Sequence, residues 1–259
     1  MSPRGVSTDA ALHRLVVHNG RVNPILLSSA APHSALRHEI VVKRSRFLAA
    51  VARVPDAAAA RAFIDAERAA TPDARHHCTA FLVSVPGAAP QSHSSDDGEP
   101  SGTAGRPMLD VLTGSGVTDI VAVVTRYFGG TLLGTGGLVR AYSDAVRECL
   151  EGARLVERQQ VPVWQAFLPH AYAGRYIAKV FDAGETVEPE YLEDGVRVSV
   201  MTDDGERLRA ELAQLSGGAI TLEQEGSAVV ERSWGHIRSG KAVNDWIRSG
   251  KAVNDAIND

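Results

Sequence analysis

Three carboxylates within four consecutive positions could hold a metal ion. Asp96, Asp97 and Glu99 lie among glycine and hydroxyl residues, and carboxylate oxygens are the ligands that magnesium prefers, often beside a substrate phosphate. Asp97 and Glu99 are therefore candidate Mg²⁺ ligands for an enzyme acting on a phosphorylated small molecule. The Asp97-Gly98 and Glu99-Pro100 pairs are also typical of turns whose acids point to water, and the spacing alone favours that alternative.

A second grouping of metal-ligand types, His76-His77-Cys78, does not predict a metal site. It falls in a predicted strand, where neighbouring side chains point to opposite faces of the sheet. The two cysteines, Cys78 and Cys149, form no CxxC pair and no disulfide framework. Apart from the magnesium alternative we expect no metal site, and we expect no cofactor.

A glycine-rich segment suits a phosphate-type anion. It follows an apolar run and precedes a helical pattern, and a helix N-terminus offers unpaired N–H groups and a partial positive charge. Arg126 and Arg140 flank the segment. It lacks both GxxxxGK[ST] and the full dinucleotide fingerprint. A tight turn with close strand–helix packing requires the same residue type, so both interpretations stay open. The glycines are Gly129, Gly130, Gly134, Gly136 and Gly137.

A third candidate is the basic tip of a predicted strand hairpin. Lys43, Arg44 and Arg46 stand together between two apolar stretches. Three cations at one turn can contact phosphates, although such tips are commonly just solvated surface. We therefore add them to the candidate contacts for RNA phosphate or for an acidic partner.

Charge is distributed unevenly along the 259 residues. Residues 36–155 carry 13 basic and 13 acidic side chains, whereas residues 156–230 carry 6 basic and 13 acidic ones. Because nucleic acids are bound mainly by Lys and Arg, any RNA contact is expected from the first of these segments. No apolar run approaches the roughly twenty residues that cross a bilayer, so we predict a cytoplasmic protein with no membrane contact.

Hydrophobic periodicity predicts the elements that position these residues. In residues 36–156 we expect a hairpin over 39–54, a helix capped by Asp56, a strand over 77–85, a long polar loop over 87–105, and a short helix over 107–112. The continuous apolar run 120–124 predicts a central strand buried on both faces. A helix with Leu138, Tyr142 and Cys149 on one face follows the glycines.

Residues 157–230 predict a second domain with the order βαββαβ, which is typical of a ferredoxin-like module. Its signals include the Asp194-Gly195 hairpin turn, a capping box formed by Asp203 and Glu206, and a last strand over 219–230. Residues 1–35 are interpreted as a loose extension. Residues 231–259 contain the sequence IRSGKAVND twice and are interpreted as a tail outside the fold.

Two long segments resemble the signatures of the IMPACT/YigZ family. They are residues 96–107, DDGEPSGTAGRP, and residues 125–142, TRYFGGTLLGTGGLVRAY. Both are long and in the expected order, and the resemblance covers residues 36–230. The loop residues that carry the family motif are Asp97, Gly98, Glu99, Pro100, Gly102, Thr103 and Gly105.

The resemblance implies an α+β fold with two domains. The first would share the fold of a small-subunit ribosomal protein and of domain IV of elongation factor G, and the second would be ferredoxin-like. Eukaryotic members of the family regulate translation by competing for an activator of a stress-responsive kinase, and the family supplies no agreed catalytic residues. We therefore expect a translation-associated binding protein whose partner is the ribosome, RNA or a translation-regulatory protein. The magnesium-dependent enzyme is the alternative.

Overall fold

The computed structural model describes residues 24–27, 35–85 and 88–236. The chain separates into two compact units, of which the second spans Arg158–Glu231 and the first contains the described residues up to Glu157 and from Arg232 onward. Five helices and two five-stranded sheets occur in the described residues, so the fold is mixed α+β as expected. Within this part of the chain no helix is both long and apolar enough to span a membrane.

The first unit is built on an antiparallel sheet with the strand order β2-β3-β6-β4-β5. Every residue of β6 except its last is buried, because this central strand is covered on both faces. The apolar run in the sequence therefore correctly predicted the middle of the sheet. The strands are β2 (Leu36–Val42), β3 (Ser45–Arg53), β4 (His76–Val83), β5 (Gln91–Ser95) and β6 (Ile120–Tyr127).

Three helices cover the two faces of this sheet. Helix α1 (Ala57–Ala70) starts at Asp56, whose side chain accepts a hydrogen bond of 2.8 Å from the Ala59 N–H. It packs on the face that carries Val121 and Val123. Helices α2 (Gly105–Gly114) and α3 (Thr135–Leu150) pack on the other face, against a core that includes Phe47, Met108 and Tyr142.

The second unit has the chain order βαββαβ that the sequence pattern predicts. In its sheet, β9 lies between β7 and β8, and β10 pairs with β7. Helices α4 and α5 pack on one face, which buries Val196, Val198 and Val200. The elements are β7 (Arg154–Leu168), α4 (His170–Asp182), β8 (Thr186–Tyr191), β9 (Val196–Met201), α5 (Gly205–Ser216) and β10 (Glu223–His236).

Two strands occur where the sequence predicted loop or extension. Strand β5 lies inside the expected loop 87–105; its sequence QSHSS is polar because, among the described strands, it lies at the edge of the sheet and pairs with β4 alone. Strand β1 (Pro24–Leu27) lies in the expected N-terminal extension and pairs with β7 over Arg154–Glu157. Residues 1–23 lie outside the described part of the chain.

Two boundaries in the second unit also differ from expectation. Strand β10 continues to His236, beyond the predicted end at Val230. Helix α5 is capped by Asp204, whose carboxylate accepts a 3.2 Å bond from the Arg207 N–H, and not by Asp203. The capping-box pattern favoured Asp203 because Glu206 follows it by three positions, whereas the observed cap is the aspartate whose carboxylate reaches the N–H three residues later. The two IRSGKAVND copies lie outside the described residues.

Gly129 joins the glycine-rich segment to the β2–β3 turn by direct backbone contact. Its N–H donates a 3.1 Å hydrogen bond to Ser45 Oγ. A Cβ atom at this position would overlap the carbonyl group of Arg44 and the amide nitrogen of Ser45. The packing interpretation of the glycines is therefore right for Gly129, whereas Gly130, Gly134 and Gly136 have open space around the Cβ position.

We predict that Gly129→Ala destabilises the protein by about 1–3 kcal/mol, because the added methyl meets backbone that cannot move aside cheaply. Gly136→Ala is the matched control. It lies in the first turn of α3 with open space around it, so alanine should leave the stability unchanged or raise it slightly. Urea unfolding of both variants measures the difference. Equal midpoints would contradict the close approach at Gly129.

Candidate functional site

The N-terminus of α3 has no side-chain cap in the described part of the chain. The helix starts after Gly134, which has a φ of 73° and no side chain to accept the first N–H groups. The first bond of the helix runs from the Leu138 N–H to the Gly134 carbonyl, at 3.0 Å. Gly134, Thr135 and Gly136 are exposed. The N–H groups of residues 135–137 therefore precede the first intrahelical bond, and this end of the helix carries the positive end of the dipole.

Basic side chains lie beside this helix end. Arg140, in the second turn of α3, is exposed and has no ion pair among the described residues. The β2–β3 turn is brought to the glycine segment by the Gly129 contact, and Arg44 Nη2 donates a 3.1 Å hydrogen bond to Thr131 Oγ1. Lys43, next to Arg44, is exposed. The structure thus brings Lys43 and Arg44 to the glycine segment that also leads into α3.

Two large apolar side chains are exposed in the same segment. Phe128 is 51% exposed and Leu132 is 82% exposed. Exposed aromatic rings beside cations are the usual means of stacking unpaired bases. We call this set the glycine-loop surface: Lys43, Arg44, Phe128, Leu132, Arg140 and the N–H groups of residues 135–137.

Arg46 belongs to the basic tip but is already neutralised. Its Nε donates a 2.6 Å hydrogen bond to Glu39 Oε1, and its guanidinium lies over the Tyr127 ring at 5.6 Å from the centroid. This side chain is on β3 and pairs with a carboxylate across the hairpin. It is therefore a weaker candidate for a phosphate contact than Lys43 or Arg44.

Arg126 is an internal residue, which corrects the expectation that it flanks the anion site as a surface contact. It is only 6% exposed. Its Nη1 lies 2.5 Å from Glu99 Oε1, and the Tyr142 hydroxyl donates a 2.8 Å bond to the same oxygen. The guanidinium also lies near the Phe47 and Phe128 rings, at 5.4 and 5.7 Å. A buried guanidinium needs such a partner, and Glu99 supplies it.

Asp96 organises the start of α2. Its carboxylate accepts backbone hydrogen bonds from Gly102, Ala104 and Gly105, at 2.7 to 3.0 Å. Burial by itself would raise the pKa of Asp96, but the three N–H donors outweigh it and hold the pKa below the usual value. Asp96 thus satisfies orphan donors at the N-terminus of a helix.

Asp97 and Glu99, the two candidate magnesium ligands, both accept bonds from protein donors. Asp97 accepts a 2.6 Å bond from the His77 N–H and a 3.1 Å bond from Arg68, while Glu99 is held by Arg126 and Tyr142. A magnesium ion bound there would have to displace these donors. The described residues contain no cluster of three or more metal-ligand side chains.

The remaining motif residues shape the loop between Asp96 and α2. Gly98 and Gly102 have φ values of 84° and 74°, which glycine adopts without strain. The Pro100 carbonyl accepts from both the N–H and the hydroxyl of Thr103. Gly105 packs closely against the backbone of Ser95. The motif residues therefore form the turn that places the Glu99 carboxylate beside Arg126.

Sequence reasoning missed this internal cluster. The available signal was Arg126 itself, because a charged residue directly after the buried run 120–125 of the central strand requires a buried partner. Cys78 lies in the same region, where its Sγ donates to the Asp96 carbonyl at 3.0 Å. Burial raises the pKa of Cys78 to about 12, with the hydrogen bond to Tyr142 lowering it and the nearby carboxylates adding to the rise, so this thiol stays protonated at neutral pH.

We predict that Arg126→Met destabilises the protein by about 3–5 kcal/mol, because it leaves the Glu99 carboxylate buried without its cation. The matched control is Arg106→Met, which removes an exposed pair with Asp110 one helical turn away. That change should cost less than about 0.5 kcal/mol. Chemical denaturation followed by circular dichroism compares them. Similar decreases in the free energy of unfolding of both variants would show that the buried Glu99–Arg126 pair does not stabilise the fold more than an exposed pair does.

Comparison with known proteins identifies the family. The family model of the Impact N-terminal domain matches residues 43–150. The IMPACT family member YigZ of Escherichia coli (strain K12) is 46% identical over 146 residues, covering 56% of this chain and 69% of that protein. YvyE of Bacillus subtilis (strain 168), another IMPACT family member, is 31% identical over 206 residues, covering 78% and 93%. A solved structure of the two-domain translational regulator Yih1 is 23% identical, with a TM-score of 0.32, covering 47% of this chain and 49% of its own.

The family model and the two IMPACT family members confirm the resemblance of the two signature segments. The chain belongs to the IMPACT family.

Proposed function

We propose that this protein regulates translation by binding RNA through the glycine-loop surface, without catalysing a reaction. The carrying observation is the exposed N-terminus of α3, which has no side-chain cap among the described residues and has Arg140 in its second turn. Family membership supports the link to translation, because the resemblance implies that eukaryotic members regulate it. The ligand is argued from the surface itself.

Three features of the glycine-loop surface favour RNA over other anions. Free N–H groups at a helix N-terminus bind phosphate oxygens. Lys43, Arg44 and Arg140 supply the cations that displace counterions from a phosphate backbone. Phe128 and Leu132 add exposed apolar area for unpaired bases. A lone phosphate would use the first two features but not the third.

Backbone strain in the β2–β3 turn also supports a binding role. Lys43 and Arg44 have φ values of 46° and 69°, and they are the two residues between the last paired positions of the hairpin, Val42 and Ser45. A two-residue turn with positive φ at both positions strongly prefers Asn-Gly. Strained residues that persist often serve function. Lys43 and Arg44 therefore make the turn less stable than Asn-Gly would, but they place two positive charges at the tip of the hairpin.

The overall architecture is compatible with this role. We assign residues 36–156 to a first domain like that of a small-subunit ribosomal protein and elongation factor G domain IV. We assign residues 157–230 to a ferredoxin-like domain, with support from the order and antiparallel pairing of β7, β8 and β9. RNA contacts are assigned to the first domain, since residues 156–230 are strongly acidic. A cytoplasmic location follows from the proposed role.

The double variant Lys43→Asn/Arg44→Gly tests the proposal, because it should affect binding and stability in opposite directions. Asn-Gly relieves the positive-φ strain, so the free energy of unfolding should rise or stay constant. Affinity for a fluorescein-labelled single-stranded RNA should fall, and the slope of log K against log salt should drop by about 1.4, for two lost phosphate contacts. Fluorescence anisotropy across a salt series measures both quantities.

Arg61→Gln/Arg106→Gln is the matched control. It removes two exposed positive charges from helices α1 and α2 and should leave the affinity nearly unchanged. Equal losses in the two double variants would show unspecific charge attraction and contradict the assigned surface. The absence of any RNA binding or ribosome co-sedimentation by the natural protein at low salt would overturn the function itself.

A further inference from the structure

The sheet of the second unit has one face that neither α4 nor α5 covers. Along β7 and β9, alternate residues point to the helices and the others point away. Phe167 and Arg197, which are paired across the two strands, lie on the face away from the helices. Phe167, the last residue but one of β7, is 44% exposed. Toward the other end of this face Val161, Met201 and Val230 are buried, so the open face is the end of the sheet that carries Phe167, and it presents an apolar ring.

The absence of a side chain at Gly195 leaves room for the Phe167 ring. A Cβ atom at Gly195 would lie 2.5 Å from Phe167 Cζ, so only glycine at 195 lets the ring lie across this position. The ring lines a shallow cavity of about 210 Å³ between β7, β9 and the start of β10. The lining residues are Gln165, Ala166, Phe167, Arg197, Thr221, Glu223 and Glu225.

The charge around this ring is negative. Glu223 and Glu225 line the cavity, and Glu188, opposite Ser199 on the neighbouring strand, lies on the same face. All three are exposed, and none has an ion pair among the described residues. Arg197 is already paired with Glu190. The face thus carries four carboxylates and one guanidinium, in a segment with a net charge of −7.

We propose that this open face docks a lysine- or arginine-bearing segment of a partner protein. One cationic side chain lies over the Phe167 ring, whose π face attracts cations, and its N–H groups donate to Glu223 and Glu225. A hard metal ion would gain nothing from the ring, and RNA would be repelled by the carboxylates. A basic polypeptide complements both the ring and the charge.

A fluorescein-labelled deca-arginine peptide is the probe, titrated into the full chain by fluorescence anisotropy. We expect Glu223→Gln/Glu225→Gln to weaken binding by about tenfold, from the loss of two charge-assisted bonds. Phe167→Leu keeps the apolar bulk but removes the π face, and it should weaken binding about three- to tenfold. Because the Glu→Gln pair changes only exposed side chains, it tests the face even if the Phe167 variant loses stability.

Asp182→Asn/Asp203→Asn is the control. It removes two exposed carboxylates of the same unit, at the end of α4 and in the loop before α5. It should change the affinity by less than about twofold, because distant exposed charges are screened. Equal weakening by both double variants, or no effect of Phe167→Leu, would overturn the proposal. The Lys43→Asn/Arg44→Gly variant should bind the peptide normally, so this inference can fail or stand independently of RNA binding.

Discussion

The buried contact between Glu99 and Arg126 is the interaction on which the first unit depends. It joins the turn that follows β5 to the end of the central strand, and the Tyr142 hydroxyl adds α3 to the same carboxylate oxygen. Both charged side chains are almost completely withdrawn from water, so each requires the other. The two signature segments of the family therefore meet in one internal contact, between residues 27 positions apart in the chain.

The Glu99–Arg126 contact determines which motif residues are buried and which are exposed. Because Glu99 is used inside the protein, the acidic motif is structural, and the same holds for Asp96 at the start of α2. The Tyr142 hydroxyl ties α3 to this contact, and the N-terminus of α3 follows the segment that Gly129 holds against the β2–β3 turn. The N–H groups at the start of α3, together with Lys43, Arg44 and Phe128, stay exposed, and we propose that they contact the ligand.

The sequence predicted the elements better than the contacts. The apolar run of β6, the Asp56 cap and the βαββαβ order were readable because each depends on local pattern. Strand β5 was missed because an edge strand needs no apolar face, and the role of Arg126 was missed because its partner lies 27 positions away. The glycine segment could be located but not divided into packing and exposed glycines, since that distinction depends on the distant Arg44 backbone.

The proposed RNA surface in the first unit is basic, whereas the proposed docking face in the second unit is acidic, so the two proposals together describe a protein that connects RNA to a basic partner. The central claim is that the free N–H groups at the start of α3 contact the ligand. Amide chemical shifts of ¹⁵N-labelled protein, titrated with a short single-stranded RNA, measure this residue by residue. The account predicts the largest shifts at Thr135, Gly136 and Gly137, with none in β8 or β9. Shifts concentrated outside the first unit, or none at the α3 N-terminus, would contradict it.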